Sequence, residues 1–209
     1  MSKTYKNRKT FTTGRIFDLD GTVIDSFHRV APCLDEKGDL NLQKYIDEAC
    51  TPEKVMRDSL MPLVGLMKQA IAAGELVIIC TARHMLKQDY VFLRQNGIKT
   101  PLVCSRDTVA KYFPQSCANR IYKSGDADYK TAWFNLIKAM YPNAHFTMYD
   151  DHQGVLSAAR NAGFTAVDAV VLNEALTFAT ESVIDDIFSE MMEDNEEYLD
   201  VLERCMLGA

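Results

Sequence analysis

The 209-residue chain is 47% apolar and 25% charged, enough to build one buried core with an appendage, and no apolar run approaches the roughly 20 residues that cross a bilayer. Its start lacks the apolar stretch of a secretory signal, and the six cysteines (33, 50, 80, 104, 117 and 205) include no Cys-x-x-Cys pair. A cytoplasmic protein with neither disulfides nor zinc, and with no membrane partner, is therefore expected. The formal net charge of −6 is unevenly spread: residues 181–209 hold ten acids against Arg204, a local −9 that leaves +3 for residues 1–180, so the body can present basic patches to an anionic substrate.

Residues 1–13 are polar and basic (Lys3, Lys6, Arg8, Lys9) and read as a flexible basic arm. The next stretch, Gly14-Arg15-Ile16-Phe17-Asp18-Leu19-Asp20-Gly21-Thr22-Val23, is an apolar run that stops at acid-Gly-Thr. Such a run predicts a buried strand whose carboxyl end opens a site, the usual place for ligands in open α/β sheets. The i, i+2 spacing turns Asp18 and Asp20 the same way from an extended backbone, so one can attack while the other moves a proton. An Asx-type turn uses the same letters equally well. Crowded carboxylates repel, and a functional pair requires a cation supplied from downstream.

Residues 24–50 show no long helical period, and the polar run 35–39 around Gly38 suggests a hairpin or excursion beside the site, too short for a large lid. Thr51-Pro52 predicts a helix cap, and Pro62 restarts a helix with Leu63, Leu66, Met67, Ala70 and Ile71 on one face, ended by Gly74. Residues 76–80 form a second buried strand that ends at Thr81-Ala82-Arg83, followed by a helix to Gly97. Residues 101–106 make a third, closing on Arg106, and a polar connection leads to a helix from Gly125-Asp126 through Met140. Lys130 lies near the start of that helix, where a cation opposes the macrodipole unless an anion is bound nearby; an i, i+4 surface pair with Asp126 is the plainer alternative. A fourth strand, 144–149, ends at Asp150-Asp151 before a helix to Gly163, and 165–167 make a fifth. Residues 180–207 read as an acidic amphipathic helix that can join two copies, dock a partner protein or shield the body.

Taken in order, Asp18-Leu19-Asp20-Gly21-Thr22, Thr81, Lys130 and Asp150-Asp151 resemble the four-motif pattern of the haloacid dehalogenase (HAD) superfamily of phosphohydrolases. Finer spacing is similar to the phosphatase domains of bacteriophage polynucleotide kinase-phosphatases: Arg29 eleven residues after the first aspartate, Arg83 two after Thr81, Asp126-x-x-x-Lys130, and Asp150-Asp151 followed by Val155, Arg160 and Gly163. His152 departs from that pattern, where an arginine follows the paired aspartates. The resemblance implies an α/β, three-layer Rossmann-like HAD fold with a central, mainly parallel sheet and a minimal or absent cap. It divides the chain into the arm 1–13, a phosphatase domain 14–175 and the acidic helical segment 176–209.

It further implies a two-step phosphoryl transfer, in which Asp18 forms an aspartyl-phosphate and Asp20 acts as proton donor and then acceptor. Thr81 and Lys130 hold phosphoryl oxygens, and Mg²⁺ is bound by Asp18, Asp20 through its carbonyl, Asp150 and Asp151. Arg29, Arg83, Arg106 and Asp126 are assigned to the substrate, a phosphorylated nucleotide or nucleic-acid end and foremost the 3′-phosphate of a polynucleotide. A 5′(3′)-nucleotidase or small phosphomonoesterase is the first rival, and a non-catalytic phosphate-binding protein of the same fold the second. For single residues the plainer readings stay open: solvation for Arg29, either role for Arg106, helix-start polarity for His84 and His152, and core packing for Trp133 and Phe134.

Overall fold

A computed structural model describes residues 11–36 and 41–178. The basic arm up to residue 10, the turn at Gly38 and the acidic helix beyond 178 lie outside the described residues. The strands are β1 (Thr13–Phe17), β2 (Ile24–Asp25), β3 (Ser59–Leu60), β4 (Leu76–Cys80), β5 (Leu102–Cys104), β6 (His145–Asp150) and β7 (Thr165–Asp168). The helices are α1 (Phe27–Val30), α2 (Leu42–Lys44, continued as a turn of π-helix over Tyr45–Ala49), α3 (Pro52–Val55), α4 (Val64–Ala72), α5 (Lys87–Gln95), α6 (Val109–Tyr112), α7 (Gln115–Lys123), α8 (Asp126–Met140), α9 (Gln153–Asn161) and α10 (Ala169–Thr177).

Five strands form one parallel sheet in the order β5-β4-β1-β6-β7. With β1 in the middle, Phe17 is level with Ile79 on one side and Tyr149 on the other. The next residues of the three strands, Asp18, Cys80 and Asp150, therefore emerge together at the carboxyl edge. Alternation along the strands feeds two cores. Phe17, Val77, Ile79, Tyr149 and Val167 pack with α4, α5 and α10, whereas Ile16, Ile78, Met148 and Ala166 pack with α8 and α9. This is the α/β, three-layer architecture expected. The Phe146 ring of β6 lies over β1 where Gly14 has no Cβ; one built there would stand 2.4 Å from that ring.

The excursion after β1 is a small helical cap, with α1, α2 and α3 in turn, closed at its base by the antiparallel pair β2-β3. Its turns are too short for a helical period to register in the sequence. Thr51 caps α3 as predicted, accepting from Lys54 N at 3.4 Å with Pro52 at N1. Three elements differ from expectation. The polar connection before α8 contains α6 and α7. A helix follows β7, because Asp168 caps the N–H groups of Val170 and Val171. This α10 runs past the boundary drawn at 175 and belongs to the body: buried Asn173 accepts from Leu63 N and donates to Thr22 O, both at 2.8 Å. Among the described residues no helix is long and apolar enough to cross a membrane.

Candidate active site

The first residue past β1, Asp18, is 6% exposed and is tied to the neighbouring strand by its N–H to Tyr149 O at 3.0 Å. Lys130 rises from the first turns of α8, fully buried, and donates from Nζ to Asp150 Oδ2 at 2.6 Å. The same Nζ stands 3.0 Å from Asp18 Oδ1, an ion-pair contact whose angles fall short of a hydrogen bond, so that oxygen is a buried acceptor without a directed donor. The alternative surface pairing of Lys130 with Asp126 is thus set aside. Burial alone would lower the lysine's pKa, but Asp18 and Asp150 reverse the sign and hold it charged. Asp18 goes the other way. Burial pushes its carboxyl well above the ordinary range, Lys130 opposes, and Asp150, Asp20 and Asp151 add to the rise. Asp151 is raised too, by burial and then by Asp150.

Asp18, Asp150 and Asp151 each offer an oxygen within 4.8 Å of the others. Three hard oxygen donors against one ammonium, with one buried acceptor unsatisfied, fit a small divalent cation such as Mg²⁺. Gly21 makes the room for this. Its φ is +72°, and a Cβ there would lie 2.5 Å from Asp151 Oδ2.

The second aspartate is held differently. Asp20 Oδ1 accepts from Ser26 Oγ and from Arg83 Nη2 in short contacts, and its Oδ2 accepts from Arg83 Nε at 3.0 Å. Burial would raise its pKa, but the Arg83 charge and hydrogen bonds, aided by Ser26, bring it down to about 2. Thr81, at the end of β4 and 1% exposed, lies beside this pair and accepts Arg83 N on its hydroxyl at 3.2 Å.

Arg83 itself is enclosed, with Nη1 donating to Asp89 Oδ1 at 2.6 Å. Asp18, Asp20, Thr81, Lys130, Arg83, Asp150 and Asp151 accordingly gather at one sheet edge. Three other residues assigned to the substrate are engaged by the protein itself. Arg29, expected at the substrate, is buried and spends its fork on Asp58, with Nε to Oδ1 at 2.8 Å and Nη2 to Oδ2 at 2.9 Å. Arg106, expected there too, is a clamp. It donates to the carbonyls of Ala82 at 2.7 Å, Ser124 at 3.1 Å and Tyr122, tying the loop after β4 to the start of α8, because a guanidinium can serve several acceptors at once. Asp126, half-exposed at the first position of α8, meets Arg106 at 3.3 Å.

His152 is the N-cap of α9, its Nδ1 accepting from Val155 N, and Trp133 and Phe134 are core. Ser26, Asp58 and Asp89 escaped the sequence reading. Only Asp89 had a local signal, as the third residue of α5 accepting from Leu86 N at 2.7 Å.

A family model described as bacteriophage T5 5′-deoxynucleotidase matches residues 1–208 of this chain. The chain belongs to that family. Within it, the 5′-deoxynucleotidase of Escherichia phage T5 is 47% identical over 198 residues, which span 92% of this chain and 81% of that protein. Among solved structures this family member is similar to a haloacid dehalogenase-like hydrolase from Streptococcus pneumoniae. That similarity has a TM-score of 0.50 at 12% identity and covers 78% of this chain and 90% of the other. A second hydrolase from Streptococcus pneumoniae gives a TM-score of 0.49 at 13% identity, covering 79% and 98%. The first of these likenesses makes the fold HAD-like, and membership of the family makes the chain a hydrolase of the phosphoric monoester class.

Proposed function

We propose that this protein is a Mg²⁺-dependent 5′-deoxynucleotidase, releasing phosphate from deoxynucleoside 5′-monophosphates through an aspartyl-phosphate on Asp18. The observation that carries the reading is a buried Asp18–Lys130–Asp150 cluster at the end of the central strand, in a chain 47% identical to a phage 5′-deoxynucleotidase. A phage relative and a nucleotide substrate support the cytoplasm of a host cell as the place where it acts.

In the first half-reaction an Asp18 oxygen forms a bond to phosphorus while the bond from phosphorus to the 5′-oxygen breaks, and that oxygen takes a proton from Asp20. In the second, water attacks phosphorus, Asp20 accepts its proton, and the bond to Asp18 breaks to free phosphate. Lys130 neutralises the charge that gathers around Asp18, and Thr81 and Arg83 offer donors to the phosphoryl oxygens. Asp18, Asp150 and Asp151 would hold Mg²⁺, whose charge would let a phosphate dianion approach the carboxylates. As found, Asp20 is an anion gripped by Arg83 and Ser26, the form that accepts a proton. For the first half-reaction an arriving phosphate has to compete for Arg83 and so release Asp20 to carry a proton.

The 3′-phosphate of a polynucleotide, favoured by the motif spacing, draws less support. Two guanidiniums which that resemblance assigned to substrate, those of Arg29 and Arg106, are engaged by the protein itself. The test is phosphate release with Mg²⁺ from deoxynucleoside 5′- and 3′-monophosphates, their ribose counterparts and a 3′-phosphorylated oligonucleotide, with Asp18→Asn as the blank. Preference for deoxynucleoside 5′-monophosphates, abolished in the variant, is expected. Preference for the oligonucleotide would reinstate the end-healing reading, and release that survives Asp18→Asn would remove the nucleophile.

A further inference from the structure

Two guanidiniums, Arg29 and Arg83, lie buried beside Asp20, where like charges repel and each has lost its water. One carboxylate is shared between them. Asp58, on the return limb of the excursion between α3 and β3, has a side chain with 0% exposure. Both its oxygens are taken by the fork of Arg29, on the outgoing limb, at 2.8 and 2.9 Å. The His28 Nε2 adds a contact to Oδ1 at 3.0 Å. From the other side Nη1 and Nη2 of Arg83 both stand 3.5 Å from Oδ2, the range of an ion pair rather than of a tight hydrogen bond. Asp89 completes the seat of Arg83 from α5.

We infer that Asp58 is a positioning residue: it is the shared counter-ion that lets Arg29 and Arg83 pack together and keeps the Arg83 fork aimed at Asp20 and at the phosphate that must displace it. Its oxygens face Arg29, Arg83 and His28, so it reaches the reacting atoms only through Arg83. Its place on the return limb also makes the lie of the cap and the aim of Arg83 a single variable. Loss of its negative charge leaves the two guanidiniums mutually repelling, and Arg83, with a second acidic partner outside the cap, is the one able to swing out of line. The inference rests on the phosphatase reading above.

The test is a double-mutant cycle on kcat and KM with Asp58→Asn, Arg83→Gln and the pair, run well below each variant's unfolding midpoint. p-Nitrophenyl phosphate and a deoxynucleoside 5′-monophosphate serve side by side. Asp58→Asn is expected to lower kcat at least about tenfold, and in the Arg83→Gln background to change it by less than about twofold, since an effect routed through Arg83 cannot be lost twice. Losses that multiply, or wild-type kcat in Asp58→Asn, overturn the inference. Should Asp58→Asn fail to fold, Arg29→Lys enters the same cycle, because it keeps the charge but gives up the fork on Asp58. A kcat loss that Arg83→Gln absorbs supports the inference, and one that multiplies overturns it. If the wild type turns over p-nitrophenyl phosphate but no nucleotide, the substrate reading fails while the cycle still decides the role of Asp58.

Discussion

Two clusters of charge meet at the end of β1, centred on carboxylates that are next but one in sequence, and they are balanced differently. Around Asp18 three carboxylates share one ammonium, and a buried oxygen is left without a directed donor. Around Asp20 the carboxylates of Asp20, Asp58 and Asp89 face two guanidiniums, with Ser26 and His28 filling further acceptor positions. The first cluster is short of positive charge, which fits the cation proposed for it. The second is nearly satisfied by its own residues and, in the mechanism proposed, holds its geometry until a phosphate competes for Arg83. Buried carboxylates thus say little by themselves: the counter-charge already present decides whether they bind a metal or fix a position.

The sharpest way to break this division is Asp20→Asn. If Asp20 moves the proton, kcat on a deoxynucleoside monophosphate falls by about 10²–10⁴. The loss on p-nitrophenyl phosphate is far smaller in the bond-breaking step, because that leaving group departs without a proton. Equal losses on both substrates would make Asp20 chiefly the anchor of Arg83.

A smaller effect separates the clusters by pH. Asp18 and Asp151 have folded-state pKa values raised by burial, so the metal-free protein binds more protons folded than unfolded. The stability they contribute is full below the unfolded carboxylate value and is lost as pH rises through their folded values. Asp20 has the opposite sign. Its contribution stands above the unfolded value and is lost only as pH falls towards about 2. Without metal the unfolding midpoint is expected to fall as pH rises above the ordinary carboxylate range, and Mg²⁺ at 100 times its Kd to restore about 2.7 kcal/mol and flatten the slope. A midpoint indifferent to both pH and Mg²⁺ would mean that the Asp18 cluster is complete as it stands.

The smallest expected effect is at the rim. Asp126→Ala removes a half-exposed partner of Arg106 at 3.3 Å, and screening holds such a pair to less than about 1 kcal/mol. Arg106 keeps its three carbonyls, so kcat is expected within about twofold of wild type. A loss beyond tenfold would return Asp126 to the substrate.

Much of this was legible before folding. β1, β4, β5, β6 and β7 fall on the apolar runs, and Gly74, Gly97 and Gly163 stop their helices at φ of +72°, +77° and +80°, a region where side chains are strained. Lys130 could be marked because a cation near a helix start makes poor local sense without an anion, and Asp18 and Asp150 are those anions. α6 and α7 were missed because short or strongly polar segments carry no usable period, and α10 because a run as apolar as Ala169–Thr177 has too little polar face to show one; its place is set by Asn173 bridging to Leu63 and Thr22.

By itself the sequence determined the strands, the helix stops and the order in which acid, hydroxyl, lysine and paired acids reach one sheet edge, since these follow from period, from φ and from side-chain direction along a strand. Tertiary structure alone decided what each arginine does. Arg29 meets Asp58 across 29 positions, Arg83 meets Asp20 across 63, and Arg106 spans from Ala82 to Ser124. A guanidinium takes whichever acceptors packing brings within reach, and no local pattern records which those are.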